Sequence, residues 1–171
     1  YTVTEFGQAG WTQTYPDGIG AHFVTLTNQS LSGFDFGNTQ LSSIGDFVWL
    51  DQNRNGIQDS GEAGVPGVTV ALFKQVGASW ISQGTGTTDA SGHYLFDNLW
   101  TGSYYGRFTP PATYLITLRD QGGDDTVDSD ADVTTGATVA ISLGAGDHQR
   151  QWDAGLSQPP AIDVAQSVSM D

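Results

Sequence analysis

A run of oxygen-bearing side chains between residues 51 and 62 has a spacing that suits a hard cation. The run reads D-x-N-x-N-G-x-x-D-x-x-E, which puts oxygen ligands where a twelve-residue EF-hand calcium loop puts them. Gly56 occupies the sixth position, where the backbone must turn sharply. We therefore predict a calcium site made by the side chains of Asp51, Asn53, Asn55, Asp59 (directly or through water) and Glu62, with the backbone carbonyl of Ile57.

The segments on either side of this loop have the character of strands and turns. Residues 47–50 (Phe-Val-Trp-Leu) lead into it, and residues 65–68 (Val-Pro-Gly-Val) follow it. Because no helices bracket the loop, a switch that works by opening a helix pair is not expected, and the predicted calcium is structural. Two Asn in place of Asp lower the charge of the site, which favours a moderate affinity suited to extracellular calcium.

A second acidic segment follows later in the chain, with six carboxylates within residues 120–132. Two such charges about 5 Å apart repel by roughly 3 kcal/mol at an effective dielectric constant of about 20. Alternating residues of an extended chain share one face, so the last three aspartates of the segment can act together. We predict one or two further calcium ions, against the alternative of a solvated acidic loop. The candidate ligands are Asp120, Asp124, Asp125, Asp128, Asp130 and Asp132.

The overall composition restricts the classes of function. Only five residues are basic and the net charge is −14, so binding to nucleic acid or to anionic membrane surfaces is excluded. The chain has no cysteine and no run of 18 apolar residues, so neither a disulfide nor a membrane-spanning helix is predicted. An extracellular domain without disulfides needs another source of stability, and bound metal is one.

Alternation of apolar and polar residues predicts many short strands. The alternating runs are separated by turn sequences rich in Gly, Pro and Asp, and no 3.6-residue apolar stripe is found, which together favour an all-β, two-sheet sandwich. An internal repeat is also visible. Residues 1–4 (Tyr-Thr-Val-Thr) resemble residues 114–117 (Tyr-Leu-Ile-Thr), and residues 34–38 resemble residues 152–156.

This repeat divides the chain into three parts. We predict that residues 1–40 are the C-terminal half of a preceding module and that residues 44–156 form one complete module. Residues 157–171 would be a linker, stiffened by Pro159 and Pro160, and the first strand of a following module.

Residues 44–156 resemble the B domains of serine-aspartate repeat surface proteins, within the wider group of Cna B-type, prealbumin-like sandwiches. The resemblance rests on the loop, on the acidic segment, and on residues 44–49, 64–70, 88–96, 123–132 and 152–156. It implies an Ig-like or prealbumin-like sandwich that binds several calcium ions. It also implies a rigid stalk in a bacterial or archaeal protein of the cell surface or of a secreted matrix.

One departure from the wider group concerns covalent cross-linking. The resemblance implies that relatives outside the calcium-binding branch often carry an isopeptide bond from a lysine in the opening strand. The only lysine here, Lys74, lies outside that strand, and the only glutamates are Glu5 and Glu62. We expect no isopeptide bond, which leaves metal as the stabilising device.

The sequence bears on three classes of function. An enzyme is not expected, because His22, His93 and His148 are scattered and the crowded aspartates suit cations better than acid–base catalysis. The expected function is a structural spacer between neighbouring modules. Assembly into fibres by strand complementation, in which residues 1–38 or 161–171 complete a sheet of a neighbouring copy, is a hypothesis. The alternative is adhesion to a host protein or a glycan through exposed aromatic residues, for which the candidates are Trp80, Trp100, Tyr104 and Tyr105.

Overall fold

The computed structural model describes residues 1–159, and this part of the chain contains thirteen β-strands and no helix. It therefore holds no helix that could cross a membrane. The predicted opening strand of a following module, in residues 161–171, lies outside the described residues. The strands are β1 (Thr2–Thr4), β2 (Thr12–Tyr15), β3 (Ala21–Phe23), β4 (Gly37–Thr39), β5 (Ser42–Leu50), β6 (Thr69–Val76), β7 (Ser79–Thr87), β8 (His93–Leu99), β9 (Gly102–Thr109), β10 (Leu115–Ile116), β11 (Ile141–Leu143), β12 (His148–Gln149) and β13 (Ala154–Ser157).

Two sheets form the main body. One is antiparallel with the strand order β11-β9-β6-β7. In the other, β8 pairs antiparallel with β5, while β12 and β13 pair in parallel with successive parts of β5 and β10 extends the sheet beyond β13. The closing segment of the module thus runs beside its opening strand, which brings residues far apart in sequence to one end of the sheet.

The core lies between these two sheets, as period-two alternation requires. Ile44 and Val48 of β5 face Val70 and Leu72 of β6, and all four side chains are at most 1% exposed. Burial of one such aliphatic side chain stabilises the fold by about 1.5–3 kcal/mol. Trp49, on the opposite face of β5, is also fully buried. The prediction of an all-β sandwich is confirmed.

Residues 1–40 are built differently. They form two small two-stranded sheets, in which β1 pairs with β3 and β2 pairs with β4. The ring of His22 lies within 5.6 Å, centre to centre, of Tyr15, Phe34 and Phe36, so this segment has a small aromatic cluster of its own. Several large apolar side chains remain exposed here, among them Phe6, Ile19 and Phe23.

Candidate metal centre

The predicted calcium loop follows directly from β5, and its first residue anchors the turn. Asp51 is 1% exposed, and its backbone N–H donates to the carbonyl of Leu156 in β13. Its Oδ1 accepts from the backbone N–H of Asn55 at 3.2 Å, and its Oδ2 accepts from that of Gly56 at 2.8 Å. The chain therefore curls around the Asp51 carboxylate.

Gly56 is required at the sixth position for two reasons. Its φ is 76°, in the left-handed region that favours glycine. A Cβ built on it would also collide with the carbonyl oxygen of Leu118. The left-handed backbone at Gly56 fits the sharp turn expected at this position, and the contact with Leu118 places the loop against the start of the acidic segment.

Glu62 closes the loop at its other end. Its Oε1 accepts from the backbone N–H of Gln52 at 2.8 Å, and its Oε2 accepts from that of Asp59 at 3.0 Å. Both oxygens of this last carboxylate therefore turn back into the loop, so positions 1 and 12 of the motif are held by backbone donors of the loop itself.

The remaining side chains of the loop converge on Asp59. The amide Nδ2 atoms of Asn53 and Asn55 donate to Asp59 Oδ2 at 2.8 and 2.9 Å. Their Oδ1 atoms accept from the backbone N–H groups of Asn55 and Ile57. Hydrogen bonds thus connect Asn53, Asn55 and Asp59. Among the described residues, however, the carboxylates of Asp51, Asp59 and Glu62 do not form a group with oxygens within 4.8 Å of one another. Amide and carboxylate oxygens are nevertheless the donor set that calcium prefers.

The second candidate site contains three of the six predicted aspartates. Oxygens of Asp120, Asp128 and Asp130 lie within 4.8 Å of one another. Asp128 and Asp130 are only 5% and 4% exposed, whereas Asp120 is exposed and pairs with Arg119 at 3.1 Å between Nε and Oδ2. The Oδ1 of Asp128 is buried without a hydrogen-bond partner. A buried, unpaired carboxylate oxygen is costly, and a cation is one way to satisfy it.

The electrostatics of this cluster favour a proton or a cation. Burial raises the pKa of Asp130 to about 8, and the nearby charges of Asp125 and Asp128 add to this rise, while a hydrogen bond from the Asp153 backbone opposes it. Burial, followed by the charges of Asp125 and Asp120, also raises the pKa of Asp128. Without a cation, ionisation of all the carboxyl groups of this cluster is therefore unfavourable at neutral pH.

Asp153 is a buried carboxylate outside the set of residues predicted as ligands. It is 1% exposed, its Oδ1 accepts from the backbone N–H of Phe47 at 3.0 Å, and its own N–H donates to Asp130 Oδ2 at 2.7 Å. Burial, with a smaller contribution from Asp46, raises its pKa to about 9. In the sequence, the burial of Asp153 is indicated only by its position next to an apolar closing strand, where an acidic residue is unusual.

Three predicted aspartates lie outside the cluster of three. Asp124 and Asp132 each use Oδ1 to accept from the backbone N–H and the hydroxyl of a following threonine, so they cap turns. Asp125 Oδ2 accepts from Gln151 Nε2 at 2.8 Å, close enough to affect the cluster electrostatically. The chain bends at Ala131, before Asp132, so Asp132 does not continue an extended face with Asp128 and Asp130.

The two candidate sites share hydrogen bonds. The backbone N–H of Gln58 donates to the carbonyl of Val127 at 2.7 Å, and that of Ser129 donates to the carbonyl of Gly56 at 3.0 Å. Ser129 Oγ in turn accepts from the backbone N–H of Gly155 in β13. The loop, the acidic segment and the closing strand therefore form one connected unit at this end of the sandwich.

The aromatic residues considered for adhesion are mostly engaged within the fold. Tyr104 is buried, and its hydroxyl donates to the carbonyl of Trp100. Tyr105 stacks on Phe73 with ring centres 4.7 Å apart, and Trp80 meets it edge to face at 4.9 Å. Trp100 is 47% exposed and lines an open cleft of about 540 Å³ beside residues 13–20.

The three histidines lie apart and take structural positions. His22 belongs to the aromatic cluster of residues 1–40, and the ring of His93 packs on Phe47 at 4.8 Å. His148 Nδ1 lies 2.8 Å from Ser43 Oγ, but Ser43 is only 4% exposed and so is poorly placed to meet a substrate.

Comparison with known proteins identifies the family. The SdrD B-like domain matches residues 42–156. The chain is 48% identical over 131 residues to the serine-aspartate repeat-containing protein F of Staphylococcus epidermidis, covering 77% of this chain and 8% of that protein. It is 45% identical over 172 residues to the serine-aspartate repeat-containing protein D of Staphylococcus aureus, covering 100% of this chain and 12% of that protein. The chain thus spans about a tenth of the length of these relatives.

A solved structure of a streptococcal ancillary pilin matches with a TM-score of 0.44 and 13% identity, over 90% of this chain and 40% of the pilin chain. The relatives are structural modules of surface proteins, so the prediction of a non-catalytic module is confirmed and the predicted location is supported as extracellular. With most of its length matched, this chain belongs to the SdrD B-like domain family.

Proposed function

We propose that this chain is a rigid spacer module whose fold is stabilised by calcium bound in the loop of residues 51–62. The observation that carries the proposal is the arrangement of this loop, in which backbone donors hold Asp51 and Glu62 at its two ends. Side chains that are already held by backbone hydrogen bonds lose less conformational freedom when a cation enters the loop. Calcium would supply positive charge that offsets the repulsion among its carboxylates.

A further calcium ion is proposed at Asp120, Asp128 and Asp130. The buried and unpartnered Oδ1 of Asp128 fits a cation site better than it fits a solvated acidic loop. Without a cation, burial raises the pKa of Asp130 to about 8, so its ionised form is unfavourable at neutral pH. An adjacent cation would lower this pKa and stabilise the ionised form, which suits a cation site.

The proposed stiffness follows from what the two sites connect. Asp51 bonds to Leu156 of the closing strand, and Asp130 bonds to the backbone of Asp153. The Arg54 guanidinium, from the loop itself, donates to the carbonyl of Gln158 at the exit of the module. Cations at this end would thus hold the opening strand, the closing strand and the exit together, which is the role a disulfide has in other extracellular modules.

Thermal unfolding in EDTA, with calcium then restored, tests this proposal. We expect a lower melting temperature in EDTA and recovery with calcium, because a ligand that binds only the folded state stabilises it by mass action. Magnesium at the same concentration should restore the melting temperature much less than calcium, since magnesium requires a smaller, octahedral site. An unchanged melting temperature in EDTA would contradict the proposal.

Residues 1–40 are proposed to be part of a preceding module of the same kind. The two-stranded sheets of this segment are too small to be stable alone. Their exposed apolar side chains, such as Phe6 at 103% and Phe23 at 71% exposure, leave an incomplete core that further strands of a module would cover.

Assembly of copies into fibres is a second candidate, favoured by the edge strand β7. Its nine residues carry no charge and no proline, which are the usual protections against pairing with another chain. Light scattering over a range of concentrations tests it, with Thr85→Lys placing a charge in the strand. Association that this variant abolishes would support strand pairing, and a monomer at every concentration would exclude it.

Adhesion through aromatic residues receives less support from the geometry. Tyr105 has one ring face against Phe73 and meets the edge contact of Trp80, so these rings do not offer an open platform for a sugar. Trp100 alone among the four candidates combines high exposure with a cleft.

A further inference from the structure

We propose that Asn55 is a site of spontaneous deamidation that calcium binding suppresses. The fraction of deamidated Asn55 would then increase with the time that the loop spends without calcium. This inference rests on the proposed calcium function of the loop. Asn55 precedes Gly56, and Gly has no Cβ to hinder attack by its backbone nitrogen on the preceding side-chain amide. The other four asparagines precede larger residues: Asn28, Asn38, Asn53 and Asn98.

The reaction is intramolecular and needs only water. The backbone nitrogen of Gly56 attacks Cγ of Asn55, a C–N bond forms, and the Cγ–Nδ2 bond breaks. Ammonia leaves with the proton from the Gly56 nitrogen, which gives a five-membered succinimide. Water then opens either carbonyl of this ring, and the products are Asp or isoaspartate at position 55.

The folded loop holds both reacting groups away from this path. The Gly56 N–H donates to the buried Asp51 carboxylate at 2.8 Å, and the Gly56 carbonyl accepts from Ser129. The Asn55 amide is held by its own bonds, from the Ile57 N–H to Oδ1 and from Nδ2 to Asp59. Ring closure requires these bonds to break, so it proceeds only when the loop opens locally.

Loss of calcium favours that opening. A cation that binds only the closed loop stabilises the closed form by mass action, so removal of the cation raises the population of open forms. Gly56 itself cannot be exchanged for a larger residue, because its φ of 76° and its contact with Leu118 exclude a Cβ. The chain therefore retains the reactive pair as long as Asn occupies position 55.

The two products have opposite consequences. Aspartate at position 55 adds a carboxylate and loses the amide donor that now bonds to Asp59, so the loop becomes more dependent on a cation. Isoaspartate inserts a methylene into the backbone next to Gly56. That insertion displaces the Gly56 N–H from Asp51 and removes the site.

Peptide mapping of the intact chain tests the inference. The protein is incubated at 37 °C and mildly alkaline pH with calcium or with EDTA and then digested with trypsin. Cleavage after Arg54 and Lys74 releases residues 55–74, in which Asn55 is the only asparagine. We expect the mass gain of an amide-to-acid conversion in this peptide, with both Asp and isoaspartate forms, at least about tenfold faster in EDTA.

The controls separate this inference from the proposed function. Asn53, in the same loop but followed by Arg54, should stay intact, and the Asn55→Asp variant should show no mass gain in residues 55–74. Equal rates with and without calcium, in a protein that calcium still stabilises against heat, would overturn the inference and leave the calcium site in place. Absence of conversion in both conditions would overturn it as well. Absence of any thermal effect of calcium would instead remove the proposed function on which the inference rests.

Discussion

Ile57 and Asp128 form an isolated antiparallel bridge between the calcium loop and the acidic segment. Ile57 is the residue whose carbonyl the motif assigns to the cation, and Asp128 carries the unpartnered buried oxygen of the second cluster. Because the two residues are paired through their backbones, a change in the conformation of one candidate site must alter the other. Variants of single ligands should therefore be measured for their effects on both sites.

The first prediction concerns Glu62, which closes the loop. Glu62→Gln removes a charge and the second carboxylate oxygen, so calcium affinity measured by titration calorimetry should fall by at least about tenfold. The matched control is Glu5→Gln, which neutralises the only other glutamate, in residues 1–40, where it accepts from Asn38 Nδ2. Equal losses in both variants would indicate a general charge effect instead of a ligand.

The second prediction concerns pH in the absence of calcium. The pKa values of Asp130 and Asp153 are raised to about 8 and about 9, against about 3.9 in an unfolded chain. Groups with raised pKa bind more protons in the folded state, so their stabilising contribution is present at low pH and is lost as pH rises. In EDTA, the melting temperature should therefore fall between about pH 5 and pH 9.

The Asp153→Asn variant isolates the contribution of Asp153 to this trend. Asparagine can still accept from the Phe47 N–H but has no proton to lose, so the fall in melting temperature should be shallower in the variant. In the unmodified protein, calcium should make the fall of the melting temperature with pH less steep, because a nearby cation favours the ionised form of the carboxyl groups. A melting temperature that rises with pH in EDTA would show that these carboxyls are not kept protonated by the fold.

The third prediction concerns Gly64, just beyond the loop. A Cβ at this position would overlap the carbonyl of Ser91, which belongs to the turn before β8, and Gly64 also bridges to Trp49 of β5. Gly64→Ala should lower the free energy of unfolding by about 2 kcal/mol or more, as measured by denaturant titration. Gly123→Ala is the matched control, since a Cβ there meets nothing within 4 Å and should change stability by less than about 0.5 kcal/mol.

The sequence allowed some of these features to be predicted because they are local. The six ligands of the loop lie within twelve residues. In β8 the buried Tyr94 alternates with the exposed His93 and Leu95, so this strand has one buried face. Strand β7 has no alternation that could mark it in the sequence, because all but one of its residues are exposed. In β9, the outward-facing residue Tyr105 is the same residue type as the buried Tyr104, so the sequence does not show the alternation of apolar and polar residues that would indicate a strand.

Asp153 could not be predicted for a different reason. It meets Phe47 across 106 positions of sequence, because β13 returns to pair in parallel with β5. Such a contact follows from topology and has no local signature. The same topology explains why only three of the six aspartates in residues 120–132 converge: the bonds of Asp120 and Asp130 to Ser129 and Asp153 fix that segment, whereas Asp124 and Asp132 bond to their own turns.

The last prediction separates the two parts of the chain. A fragment of residues 42–159 should fold cooperatively and keep the calcium dependence of the whole chain, because both sheets of the sandwich, the loop and the acidic cluster lie within it. A fragment of residues 1–40 should lack cooperative unfolding, since two separate two-stranded sheets bury too little surface. Circular dichroism during heating measures both. A cooperative transition in residues 1–40 alone would contradict their assignment as an incomplete module, and an unfolded 42–159 fragment would mean that the first forty residues are part of the same folding unit.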